Sequence, residues 1–197
     1  MGWRVQLTDR QQQIVETAID IIARRGIQEL TIKNLSGRIG ISEPALYRHF
    51  ENKHAILVGI LDSFAEWSTN TLADIASSDL SPADKIREVF HRHTVRFVES
   101  PATSGVLFAE EIFKNEPVLA QRVMQIMRVA QESVHRILEE GIEAGVFRRD
   151  VPLEHLAVSS LGSLRLLVTR WRLRNYDFDL HEQGTRLADS VVKLLSA

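Results

Sequence analysis

Two sets of side chains in this 197-residue chain have types and spacings suited to chemistry. The first is three Glu-x-x-His pairs, Glu51/His54, Glu88/His91 and Glu132/His135. Two such pairs on facing helices form the ligand set of a di-iron carboxylate bundle, provided both members of each pair point inward. At about 100° per residue, Glu88 lies about 200° from Ile86, and Glu132 about 200° from Ala130. Both pairs therefore turn away from the apolar stripes of their helices. A solvated face is the better reading, and neither a metal nor another cofactor is expected. The second set is Ser42-Glu43-Pro44-Ala45-Leu46-Tyr47-Arg48-His49-Phe50, with Lys53 just beyond it. A serine at a helix start, a tyrosine hydroxyl and a histidine are good phosphate donors. A lysine in the first turn of a helix, where the dipole disfavours a cation, suits an external anion. This second set is fitted to hold a nucleic-acid backbone.

Other chemistries lack their residues. There is no cysteine, which excludes disulfide scaffolds, thiolate metal sites and thiol nucleophiles. No G-x-S-x-G, phosphate-binding glycine loop, G-x-G-x-x-G or H-E-x-x-H occurs. The adjacent acids Glu110-Glu111 and Glu139-Glu140 point to different helix faces, so they read as surface charges rather than acid–base pairs. A composition of 44% hydrophobic and 25% charged residues is that of an ordinary globular chain. No apolar run approaches ~18 residues, so no membrane span is expected. The first residues lack the apolar stretch of a secretion signal, and the cytoplasm is the expected compartment.

The elements that position the second set can be read from caps and breaks. Ile14, Ala18, Ile21 and Ile22 share one helical face, and Arg24-Arg25-Gly26 forms a helix ending. Thr31 caps a short helix over 32–39, and Gly40-Ile41 breaks it. Ser42 caps a second short helix over 43–50, with Leu46 and Phe50 facing inward. Asn52 caps a long helix over 53–76. Ser81-Pro82 opens the next, which ends at Ser100-Pro101. Further helices are expected over 103–113, from Pro117 to the Gly141–Gly145 region, over 152–174, and from Asp179 to 195. About nine helices, without period-two alternation, make the chain all-α. Charge is polarised along it. Residues 1–55 hold eight Lys and Arg against six Asp and Glu, so a chain of net charge −2 divides into +2 and −4.

Two short helices joined by a tight glycine turn have the form of a helix-turn-helix. The run Thr31-Ile32-Lys33-Asn34-Leu35, then Gly40-Ile41-Ser42, then Ala45-Leu46-Tyr47-Arg48-His49-Phe50-Glu51-Asn52-Lys53 closely resembles the tetracycline-repressor (TetR/AcrR) family of transcription regulators. The resemblance covers about residues 7–61. It departs at Leu35-Ser36, where isoleucine-alanine is common, and at Asn34, where an acid is frequent. It implies phosphate contacts from Thr31, Ser42, Tyr47, His49 and Lys53. It places Lys33, Glu43, Pro44, Ala45 and Arg48 nearest the base edges, although Glu43 also suits stabilisation of the helix start. The implied division is a DNA-binding domain over 1–52 and a helical effector-binding and dimerisation domain over 53–197.

In the second part the resemblance is architectural. It implies a repressor that binds a palindromic operator as a homodimer and is released by a small effector. The candidate pocket comprises Phe64, Trp67, Phe90, His93, Phe97, Phe108, Phe113, Met124, Met127 and Arg165, a set suited to an apolar or aromatic molecule. The candidate dimer interface comprises Leu156, Ser160, Leu164, Leu167, Val168, Trp171, Leu187, Val191 and Leu194. The competing readings are the di-iron bundle and a helical adaptor without DNA binding.

Overall fold

The computed structural model describes residues 7–108 and 116–197. Among these it contains nine α-helices: α1 (Asp9–Arg25), α2 (Ile32–Ile39), α3 (Glu43–Tyr47), α4 (Lys53–Ser77), α5 (Pro82–Glu99), α6 (Pro101–Leu107), α7 (Pro117–Glu143), α8 (Leu153–Leu173) and α9 (Leu180–Leu195). A single 3-10 turn spans Ile27–Glu29. The described residues contain no strand, only an isolated antiparallel bridge between Phe147 and Ser196. No described helix is long and apolar enough to cross a membrane.

The helix starts form where the sequence places them, and each has a local cause. The Thr8 hydroxyl accepts from the Gln11 N–H at 3.3 Å, while the Gln11 side chain accepts the Thr8 N–H at 3.0 Å. This capping box satisfies two donors that the first turn cannot. Thr31, Ser42, Asn52, Ser81 and Asp179 cap their helices in the same way, through the N–H groups of Asn34, Ala45, Ala55, Asp84 and Glu182. Gly40 ends α2 in the left-handed region at φ 78°, which a side chain would penalise. Two expectations are corrected. The second short helix stops at Tyr47 rather than Phe50, because a turn bonded to the Leu46 carbonyl replaces its last residues. The helix expected from Thr103 begins at Pro101 and ends at Leu107; the expected remainder, from 109 on, lies outside the described residues.

The chain forms two compact units. The first comprises 1–66 and 100–125, the second 67–99 and 126–197. In the first, α1 packs against α2 and α6, and α2 against α3. Its core includes Ile14, Val15, Ala18, Leu30, Leu35, Leu46, Ile56, Leu57, Ile60 and Leu61, each no more than 1% exposed. In the second, α9 packs on α5 and α8. The approach of α9 to α5 requires Gly184, since a Cβ there would lie 2.5 Å from Thr94 Cγ2. Lys85 is buried in this unit. Its ammonium donates to the Ala76 carbonyl at 3.1 Å and to both Glu140 oxygens at 2.9 and 3.0 Å. Glu140 is thus no mere surface charge, as its sequence context implied, but the counter-ion of a buried lysine.

Candidate nucleic-acid interface

The first unit positions α3 from several sides. Leu46 is fully buried and Phe50 is 7% exposed, so the i, i+4 pair fixes the helix to the core. The Gln11 side-chain amide of α1 donates to the His49 carbonyl at 3.2 Å, closing the turn that follows α3. The Gly40 and Ile41 N–H groups both donate to the Ser36 carbonyl, at 2.9 and 3.0 Å, which fixes the turn between the two short helices. Asn34, the departure from the usual acid, donates to the Glu29 carbonyl at 2.9 Å and so ties α2 to the preceding 3-10 turn.

The anchored face leaves the opposite one to solvent. Ser42, Glu43, Pro44, Tyr47 and Arg48 are exposed, as are Thr31 and Lys33 on α2, while Ala45 and His49 are half-buried. Tyr47 is 49% exposed, an unusual position for a tyrosine that serves only packing. Arg38 and Arg24 flank Asp20 on the same unit, and hydrogen bonding from Arg24 holds the Asp20 carboxyl below its ordinary pKa. Lys53, the cation in the first turn of α4, has one partner within the chain. Its ammonium donates to the Ile27 carbonyl at 3.1 Å, and burial pushes its pKa down. Two of its three N–H bonds remain for another acceptor.

The candidate pocket residues are distributed over both units. Phe64, Phe108 and Met124 belong to the first, whereas Trp67, Phe90, His93, Phe97, Met127 and Arg165 belong to the second. Phe113 lies outside the described residues. Phe64, Phe90 and Phe97 are buried core, Trp67, Phe108 and Arg165 are half-buried, and the Arg165 guanidinium lies 3.9 Å from Met127 Sδ. Met124 and Met127 do not fit an enclosed pocket wall, being 65% and 44% exposed. His93 is a satisfied core histidine. Its Nδ1 lies 2.8 Å from the Val89 carbonyl and its Nε2 3.4 Å from the Ser68 hydroxyl. Burial lowers its pKa to about 4.

The candidate interface divides as well. Leu156, Ser160, Leu164, Leu167, Val168, Trp171 and Val191 are already buried within one chain, so they have little area left to bury against a partner. The helical stripe was right for the core, which a sequence cannot distinguish from an interface. Leu187 is half-buried and Leu194 is 70% exposed. Val158, Leu166 and Leu173 on α8, absent from the sequence selection, are 57%, 61% and 77% exposed.

The Glu-x-x-His pairs have other partners. His54 contacts Glu116 at 2.8 Å, Glu88 accepts from Arg92 at 2.7 Å, and His91 packs edge-on against His181. No group of three metal-ligating side chains occurs among the described residues. Asp62, which sequence reasoning missed, is 4% exposed. Its Oδ1 lies 3.4 Å from Arg122 Nε without a hydrogen bond, and burial raises its pKa against the opposing charge. No pattern marks it, since an aspartate in a long helix reads as surface.

A capped, solvent-facing second helix on a three-helix head defines a helix-turn-helix regulator. Family comparison agrees over almost the whole chain. Residues 14–60 match the bacterial regulatory proteins of the tetR family, and residues 61–197 match the YsiA-like C-terminal region. The chain belongs to the tetR family of bacterial regulatory proteins. It is accordingly a helical DNA-binding regulator of transcription and not an enzyme. It is similar to the fatty acid metabolism regulator protein of Bacillus subtilis strain 168, with 20% identity over 190 residues, covering 96% of this chain and 95% of the relative. The fatty acid degradation regulator FadR from Bacillus halodurans shares its fold, with a TM-score of 0.83, 16% identity, and 94% and 95% of the two chains covered. FadR from Bacillus subtilis in complex with stearoyl-CoA gives a TM-score of 0.79, 20% identity, and 94% and 97% coverage.

Proposed function

We propose that this chain is a repressor that binds a palindromic operator as a homodimer and is released by a small, apolar or aromatic effector. The observation that carries the DNA reading is the division of α3 and the turn after it into a buried anchor, Leu46 and Phe50, and an exposed polar face. Thr31, Ser42, Tyr47, His49 and Lys53 hold phosphates, while Lys33, Pro44, Ala45 and Arg48 meet the groove. Glu43 serves the start of α3. Two heads one DNA turn apart, ~34–36 Å, would read two half-sites, so a dimer of chains each of net charge −2 presents two +2 heads.

Pairing is supported by the exposed apolar residues Val158, Leu166 and Leu173 of α8 and Leu194 of α9. A groove lined by Leu166, Leu167, Arg170 and Leu187 runs between these helices. A second copy of the chain covers them. An apolar effector is supported by the similarity to a regulator whose structure is in complex with stearoyl-CoA and by the half-buried aromatic side chain of Trp67, which lines a groove. The effector acts by binding one head spacing better than another, a coupling of ~1–3 kcal/mol.

Selection of bound sequences from random duplex DNA tests the reading. The expected product is a palindrome with half-sites one turn apart, bound with an affinity that falls steeply with salt. An adaptor without DNA binding would enrich nothing. Tyr47→Ala and Lys53→Ala should weaken all duplexes alike, because phosphate contacts carry no base information.

A further inference from the structure

The second unit holds an arginine whose chemistry the fold does not use. Arg96, on α5, is half-buried and makes no ion pair among the described residues. Its Nε is buried with no acceptor among them. The guanidinium lies over the Trp67 ring, 5.5 Å from the centroid. Trp67 in turn receives the His93 ring edge-on at 5.1 Å, and His93 is itself fixed by the Val89 carbonyl. The neighbouring cations behave differently: Arg92 is satisfied by Glu88 at 2.7 Å and Arg87 by Asp84 and Asp189. A guanidinium fixed on an aromatic face with its charge uncompensated is a ready receptor for a carboxylate.

It also has a place for a ligand. Arg96 and Trp67 line a groove of about 230 Å³ between α4 and α5, with Thr71, Val95, His91, Arg92 and Glu99 completing the wall. Trp67 and Val95 offer apolar surface beside the charge. Glu99 is exposed at the same groove and disfavours a doubly charged head. We propose that this groove is a binding site for a singly charged organic acid, its carboxylate on Arg96 and its apolar part against Trp67 and Val95. The site rests on the reading of this unit as effector-binding, and assigns that effector an acidic end.

The test uses the full chain carrying 5-fluorotryptophan, with the Trp67 fluorine signal assigned by Trp67→Phe. Sodium octanoate should shift that signal saturably, octanol should not saturate it, and dianionic octyl phosphate should bind more weakly than octanoate. Arg96→Gln should raise the octanoate dissociation constant at least tenfold, Arg96→Lys should retain part of the affinity, and Glu99→Gln should tighten binding two- to threefold. Equal binding of octanol and octanoate, or octanoate binding indifferent to both Arg96 variants, overturns the site. Operator release is measured separately. Arg96-dependent octanoate binding that leaves operator affinity unchanged keeps the site and removes its effector role. Operator release by octanoate that ignores Arg96 keeps an effector and removes the site.

Discussion

The head that holds α3 and the unit built on α5, α8 and α9 are stabilised by different kinds of contact. In the head, most of the defining interactions join residues a few positions apart: Thr31 to Asn34, Ser42 to Ala45, Asn52 to Ala55. The second unit has caps of the same kind at Ser81 and Asp179, but its buried lysine and the packing of its helices rest on distant pairs: Lys85 to Glu140, Arg87 to Asp189, Thr94 against Gly184. Local caps recur wherever the same short sequence recurs, so the head can be recognised across family members. Long-range contacts depend on the particular packing, which leaves the second unit free to differ between members and to suit different ligands.

Four measurements sharpen or break this contrast. The largest effect concerns His93. Its folded pKa of about 4 lies below the ordinary value of 6.5, so the unfolded chain binds more protons between these limits. Stability should be fully present above about pH 6.5 and fall by roughly 3 kcal/mol towards pH 4. In urea titrations at several pH values, His93→Gln should flatten that slope. Lys85→Ala comes next, losing the hydrogen bond to Ala76 and both bonds to Glu140. Because Glu140 stays half exposed and can be solvated, the expected cost is about 2 kcal/mol, below that of a fully buried pair. Gly184→Ala should cost about 1–2 kcal/mol by overpacking. Thr94→Ser, which removes the clashing methyl, should recover much of it in a double-mutant cycle. The smallest effect is in the head: Ser42→Ala should cost about 1 kcal/mol, an isolated cap. If Ser42→Ala proved more costly than Gly184→Ala in calorimetry, the contrast between local and distant stabilisation would be lost.

The same contrast explains what was legible. Helix boundaries followed from capping residues and glycine or proline breaks, and α2 falls at 32–39 as the sequence predicts. The exposure of Ser42, Glu43, Pro44, Tyr47 and Arg48 was legible because Leu46 and Phe50 take the places in the core. The early end of α3 was missed, since nothing in the sequence shows that the Leu46 carbonyl would take the turn bonds, and α6 begins at Pro101 rather than Thr103. In the second unit, periodicity identified apolar faces without saying what covers them. Leu164 and Val168 therefore read as interface although the chain buries them itself. Nothing in the sequence marks Lys85, or Asp62 of the first unit, as buried, because burial of a charge depends on a partner far along the chain. The unsatisfied donor of Arg96 was invisible for the same reason.

The five-residue length of α3 has a wider consequence. A helix this short cannot hold itself together in water, and its persistence rests on Ser42, Leu46, Phe50 and the tether from Gln11. Tyr47 and Arg48, exposed at the surface, are largely released from that duty. Exposed side chains of α3 can therefore be replaced one at a time while the scaffold beneath is unchanged, and on the proposed docking each such replacement would alter the sequence preference. New operators can be acquired by drift through folded intermediates, without passing through an unstable one.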